Sequence, residues 1–221
     1  MIKFFIYDWL GLNQKLFTYF NNIANLSLIP YYLNILSKFF DIFVFFLYFT
    51  SILIYKIYNL RGNNFDYQKY MASFKQLMQI GLMYACIGIF YALMKYGINL
   101  PRPYCSMDHF SSISDFAGVR CLSSFPSAHT AMAFMISYLL FPYLNFSGKI
   151  IACLGIMLVG LSRIALAMHY PADIIYSIVI SYIICKSVDE ILSIKSMQNK
   201  IIGPSIHIIF RILISKLLKR L

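Results

Sequence analysis

Three short stretches of this chain hold residue types that could act together on one anionic group: Lys95 with Arg102, Ser127 with His129, and Arg163 with His169 and Asp173. Two arginines and a lysine suit a phosphoryl group, whose charge spreads over several oxygens. The guanidinium offers bidentate donors and the ammonium a compact charge. Ser127 Oγ and the backbone N–H groups that follow it, Ala128 included, open an apolar run and would add neutral donors at a positive helix end. His169 and Asp173 stand at i and i+4, so their side chains can meet on one helical turn. A carboxylate that holds one imidazole nitrogen leaves the other free as a nucleophile. Tyr170-Pro171 modifies this geometry, because the residue before a proline favours extended backbone. The spacing therefore predicts a helix beginning at Pro171, with His169 folding back just ahead of it. His129 is free to act as acid and then as base. No Asp, Glu and His cluster has the pattern of a Mg²⁺ or Zn²⁺ ligand set, so the expected chemistry needs no metal and no cofactor.

The elements that must carry these residues are read from composition and patterning. The 221 residues are 60% hydrophobic and 12% charged, with a mean hydropathy of +0.70. A soluble domain needs about twice that charge on its surface, which excludes a cytosolic globule, a disordered chain and a nucleic-acid-binding domain. What remains is an integral membrane protein. The formal net charge of +11 then points to cytoplasmic loops and contact with anionic lipid rather than nucleic acid.

Five stretches are apolar enough to cross a bilayer about 30 Å thick: approximately residues 39–58, 77–94, 130–146, 149–166 and 174–187, the last starting near Pro171. The third and fourth are joined by the turn Asn145-Phe146-Ser147-Gly148 and should pair antiparallel. No cleavable signal is expected at the start, and the mixed aromatic and polar segment 4–34 predicts interfacial helices, aromatics inward. Residues 201–218 are apolar but contain Arg211, with Lys216, Lys219 and Arg220 close behind, which predicts a basic amphipathic helix on the membrane surface; a sixth span is the alternative. The fold class expected is an all-α polytopic bundle of five to six transmembrane helices with interfacial N- and C-terminal helices. Segments 56–75, 147–149 and everything after 185 share one side and hold most of the lysines and arginines, so the C-terminus is expected in the cytoplasm. The three reactive clusters then emerge together on the outer face. Ionisable groups at membrane depth are functional candidates by default.

In order, spacing and placement the three blocks resemble the tripartite signature of the type-2 phosphatidic acid phosphatase superfamily: K-x6-R-P (Lys95 to Pro103), P-S-G-H (Pro126 to His129) and S-R-x5-H-x3-D (Ser162 to Asp173). The resemblance implies a single membrane-embedded phosphatase domain over 1–221 and metal-independent hydrolysis of a phosphomonoester or diphosphate. It implies that His169 attacks phosphorus to form a phosphohistidine, assisted by Asp173, and that His129 protonates the leaving group. Lys95, Arg102, Ser127, Ala128 and Arg163 match the phosphate-binding positions. One position departs from the pattern: the glycine of the second block is Ala128. Alanine tolerates left-handed geometry poorly, but keeps the N–H donor, and a plain helix N-terminus is expected to accept it. Members usually have six spans; this chain is expected to have an interfacial segment in place of the first.

The function expected is that of a lipid phosphatase at the outer face of the inner membrane, similar to bacterial envelope enzymes. Its candidate substrates are lipid A 1-phosphate, undecaprenyl diphosphate and phosphatidylglycerophosphate ahead of phosphatidic acid. The loop between the first two blocks, residues 104–125, is too short for a lid domain, and an open site accepts a bulky lipid. The alternatives are a phosphotransferase, in which a lipid hydroxyl takes the phosphoryl group, and a non-catalytic lipid-phosphate-binding or transport protein. The partners expected are the lipid phosphate substrate and membrane lipids, with no nucleic acid. Cys105 and Cys121 lie in the outer loop, where a disulfide would tie it down. Cys86, Cys153 and Cys185 read as apolar fillers. His109 reads as solvated, Arg120 as a rim charge, and His207 lies on the C-terminal surface helix.

Overall fold

The computed structural model describes residues 7–26, 28–59, 67–113 and 118–194. Among them every regular element is helical: a 3₁₀ turn at Trp9–Gly11, then α1 (Leu12–Ala24), α2 (Ile29–Lys38), α3 (Ile42–Asn59), α4 (Tyr67–Ile98), the single turn α5 (Pro103–Ser106), α6 (Ala128–Leu140), a 3₁₀ turn at Phe141–Tyr143, α7 (Phe146–Ala165) and α8 (Pro171–Ser193). The expected all-α class holds. The C-terminal surface helix and His207 lie outside the described residues.

The helix ends follow local chemistry. α4 stops at Asn99, which takes a positive φ of 51°, a conformation asparagine tolerates better than most residues. Lys95 thus sits in its last turn. The break between α6 and α7 falls slightly earlier than the sequence suggests. Pro142 lies in the 3₁₀ turn, and the Asn145 side chain accepts from Gly148 N at 2.9 Å. Asn145 is thus the cap of α7, and the residues read as a turn, 146–148, are its first turn. α8 begins at Pro171 as expected, where the missing N–H costs nothing.

The main core lies where α3, α4, α6 and α8 meet, with Met83, Ile87, Met132, Met135 and Cys185 fully enclosed. Outside it, Phe43, Leu47, Ile89, Leu93, Ile151 and Ile183 are exposed. An exposed shell of this kind is the reverse of a water-soluble bundle and marks a membrane protein. Among the described residues, two helical stretches are long and apolar enough to cross a membrane, Met71–Ser106 and Phe146–Ala165. The pair α2 and α3, bent by 47° at its junction, makes a third if taken as one span. α6, at 13 residues, is about 20 Å long and short of the hydrocarbon thickness. Against the five to six spans expected, two or three of the described helices qualify on length and apolarity.

The N-terminal segment differs from the expected pattern of aromatics facing inward. The inward stripe of α1 is Asn13, Phe17, Asn21 and Ala24, whereas Tyr19, Phe20 and Ile23 face outward. The asparagines serve the backbone of the site. Asn13 Oδ1 accepts from Ala172 N at 2.9 Å, and Asn21 Nδ2 donates to Ile164 O and Ser111 O at 2.9 Å each. Backbone groups at helix ends need partners when buried, and asparagine can satisfy both kinds at once.

Candidate active site

The third block is shaped by the way α7 ends. After Ala165 the chain passes through Ala167, at a φ of 51°, and both Met168 N (3.0 Å) and His169 N (3.3 Å) donate back to Arg163 O. An alanine in left-handed backbone is strained by about 1–2 kcal/mol. The turn it makes lays His169 against the end of its own helix. Tyr170 is extended (ψ 159°) and α8 starts at once, so His169 and Asp173 face each other across the junction. His169 Nδ1 is 3.5 Å from Asp173 Oδ2, an electrostatic contact longer than a full hydrogen bond.

Asp173 is completely buried, and other donors hold its carboxylate. Ser124 Oγ donates to Oδ2 at 2.5 Å, Tyr170 N to Oδ2 at 2.8 Å, and Tyr7 OH to Oδ1 at 2.6 Å. Burial, followed by the Asp173 charge, pushes the Tyr7 phenol well above its ordinary range, so it remains a donor. For His169, burial comes first and the nearby Arg102, Lys95 and Arg163 charges add to it, lowering the imidazole well below its usual value. His169 is therefore neutral at physiological pH, the form a nucleophile requires.

The cations reach the same place from separate elements. Lys95 Nζ donates to Ser123 O at 2.9 Å. Arg102 Nε and Nη2 both donate to Ser123 Oγ at 3.1 Å, while its Nη1 meets Met168 Sδ at 3.1 Å. Two backbone bonds, Arg102 N to Cys121 O and Ser124 N to Leu100 O, zip the first block to the segment before the second. The Cys105–Cys121 disulfide closes that loop. Arg163 is buried, with Nη1 3.4 Å from Ser37 Oγ and Nε without a hydrogen-bond partner; His169 Nδ1 is likewise buried without one. A buried guanidinium N–H is costly unless an acceptor reaches it, and an anionic oxygen in this cluster would supply one.

The second block opens α6. Ser127 is its cap residue, fully buried, with Oγ 3.0 Å from Thr130 Oγ1. Its own N–H is committed to Ser177 Oγ at 2.7 Å, which leaves Oγ and the N–H groups that follow as the donors the sequence proposes. Ala128 is the first residue of the helix and is not among the residues of positive φ, so the change from glycine is accommodated as expected. Burial first, and then the nearby Arg163, His169, Lys95 and Arg102, lower the His129 imidazole below its ordinary value, so it carries a proton only beside an anionic partner. All three blocks thus converge on one spot.

A family model described as the PAP2 superfamily matches residues 76–196, a stretch that contains every residue of the three blocks. The chain belongs to the PAP2 superfamily. The crystal structure of Aquifex aeolicus LpxE has the same fold, with a TM-score of 0.61 and 24% identity over 81% of this chain and 95% of that one. No curated protein sequence matches. Membership of this family supports a phosphatase.

Around the signature of this PAP2 chain stand residues that sequence reasoning missed: Tyr7 and Ser124 on Asp173, Ser37 on Arg163, and Asp41, whose Oδ2 is 3.5 Å from His129 Nε2. None carries a local pattern, since each gains its place from a contact distant in sequence. Other readings stand. Arg120 is a rim charge, over the Tyr96 ring at 4.5 Å and donating to Asn99 Oδ1 at 2.6 Å. His109 is exposed. Of the cysteines read as fillers, Cys185 is buried, while Cys86 and Cys153 face outward.

Proposed function

We propose that this chain is an integral-membrane lipid phosphatase that hydrolyses a lipid-linked phosphate or diphosphate through a phosphohistidine on His169. The observation that carries the reading is the gathering of Lys95, Arg102 and Arg163 around two histidines and one buried carboxylate. Three cations neutralise the spread charge of a transferring phosphoryl group, the work a metal ion does elsewhere. Asp173 orients His169 through Nδ1, so Nε2 attacks phosphorus. The P–N bond forms as the bond to the leaving oxygen breaks, and His129 gives that oxygen a proton. Water then attacks the phosphohistidine, His129 takes a proton back, and P–N cleavage frees inorganic phosphate and neutral His169. Ser127 Oγ and the start of α6, at Ala128, add neutral donors.

A bulky lipid suits the surroundings. A groove of about 590 Å³ lined by Phe39, Phe40, Phe45, Ile52, Ile136 and Leu140 runs beside α3 and α6, and its Phe40 adjoins Asp41 in sequence. An acyl chain lying along it would leave its phosphate near the cation cluster. The distribution of lysine and arginine favours a site at the outer face of the inner membrane and a cytoplasmic C-terminus. Candidate substrates are lipid A 1-phosphate, undecaprenyl diphosphate and phosphatidylglycerophosphate. The deciding experiment measures phosphate release from purified lipid phosphates in detergent. Wild type releases phosphate and is indifferent to EDTA, while His169→Ala and Asp173→Ala lose about a thousandfold or more, the scale of losing a nucleophile. Strong EDTA inhibition reversed by Mg²⁺ would overturn the mechanism.

A further inference from the structure

The corner between α2 and α3 touches the site twice. Ser37, near the end of α2, meets Arg163, and Asp41, just before α3, meets His129. Asp41 divides its carboxylate between two tasks. Oδ1 accepts from Phe43 N at 2.8 Å, and the Asp41 carbonyl accepts from Phe45 N at 2.9 Å, so the residue caps α3. Oδ2 is left for His129 Nε2. The 47° bend between the two helices is what turns this cap toward α6.

The charges around His129 give that contact its meaning. Lys95 at the end of α4, Arg102 after it, Arg163 on α7 and His169 in the α7–α8 junction all bear on the imidazole. The Asp173 carboxylate already receives Ser124, Tyr7 and Tyr170. Asp41 faces His129 and also acts on Arg163. A general acid must hold a proton until the leaving group needs it, and beside three cations that requires a counter-charge. We propose that Asp41, delivered by the α2–α3 corner, is a positioning residue that orients His129 and supports its proton during leaving-group departure. This rests on the lipid phosphatase reading above and adds to it a fourth element in the acid–base apparatus.

The test compares two substrates with the same transferred phosphate: an alkyl lipid phosphate, whose leaving oxygen must be protonated, and a nitrophenyl phosphate bearing the same alkyl chain, whose leaving group departs as the anion. Asp41→Asn keeps a helix cap and the side-chain shape but removes the charge; Asp41→Ser keeps the cap without the reach. Both variants should lose about ten- to a hundredfold in kcat on the alkyl phosphate, the scale of losing an outer-shell partner, and stay within a few-fold of wild type on the aryl phosphate. The basic limb of the alkyl pH profile should move to lower pH in Asp41→Asn, and Asp41→Glu should recover part of the loss. An equal loss on both substrates, or no loss on the alkyl phosphate, overturns the proposal. Wild type releasing phosphate from neither substrate overturns the lipid phosphatase reading itself.

Discussion

Asp173 and His169 show how a residue can be legible in type and yet incomplete in environment. Their i, i+4 spacing and the proline between them were enough to foresee a histidine folded back ahead of a helix. The partners Ser124 and Tyr7, 49 and 166 positions away, were not. Burial sets the histidine's behaviour. The folded protein holds His169 neutral well below its ordinary value, so the unfolded chain binds more protons as pH falls below about 6.5. The stability contribution is thus complete above that value and is lost toward acid. Thermal midpoints in detergent should fall as pH drops through about 6.5, and fall less in His169→Asn; equal slopes would contradict this.

Helix ends position the blocks, and helix packing sets their separation. α7 and α8 are in tight contact at Gly160, where a Cβ would stand 2.6 Å from Cγ2 of Ile174, the residue after Asp173. Ile174 is β-branched and stiff, so neither helix yields cheaply. Gly160→Ala should destabilise the protein by about 1–3 kcal/mol, the usual scale of overpacking, and displace Asp173 from His169. A lowered thermal midpoint and reduced activity, both recovered in Gly160→Ala/Ile174→Ala, would bear this out. The helices themselves were readable from apolar runs and from Pro171 and Asn145. The inward face of α1 was not. A polar stripe of Asn13 and Asn21 reads as an interfacial face until the backbone of α7 and α8 is there to receive it.

At the scale of the whole molecule, the proposed function assigns the apolar groove beside α3 and α6 to the acyl chain and the cation cluster to the phosphate. Groove residues Ile136 and Leu140 lie two to three turns below His129 on α6, about 10–16 Å deeper along the helix. Ile136→Trp should raise KM about tenfold for a long-chain lipid phosphate, equivalent to about 1.4 kcal/mol, and leave a short-chain analogue unaffected. Unchanged KM for the long chain would show that the tail lies elsewhere.

Sequence alone determined the membrane class, the helical architecture, the three reactive blocks and their family, because these depend on composition, periodicity and short spacing. The Cys105–Cys121 loop was visible as a possibility, and the pairing is a fact of the fold. Only tertiary structure decided which residues support the signature. Tyr7, Ser37, Asp41 and Ser124 are ordinary by type, and become part of the candidate site because the N-terminal segment and the loop closed by Cys105–Cys121 pack against the ends of α6, α7 and α8. The physical reason is burial. Charged and polar groups withdrawn from water must be satisfied, and partners for them can come from anywhere in the chain.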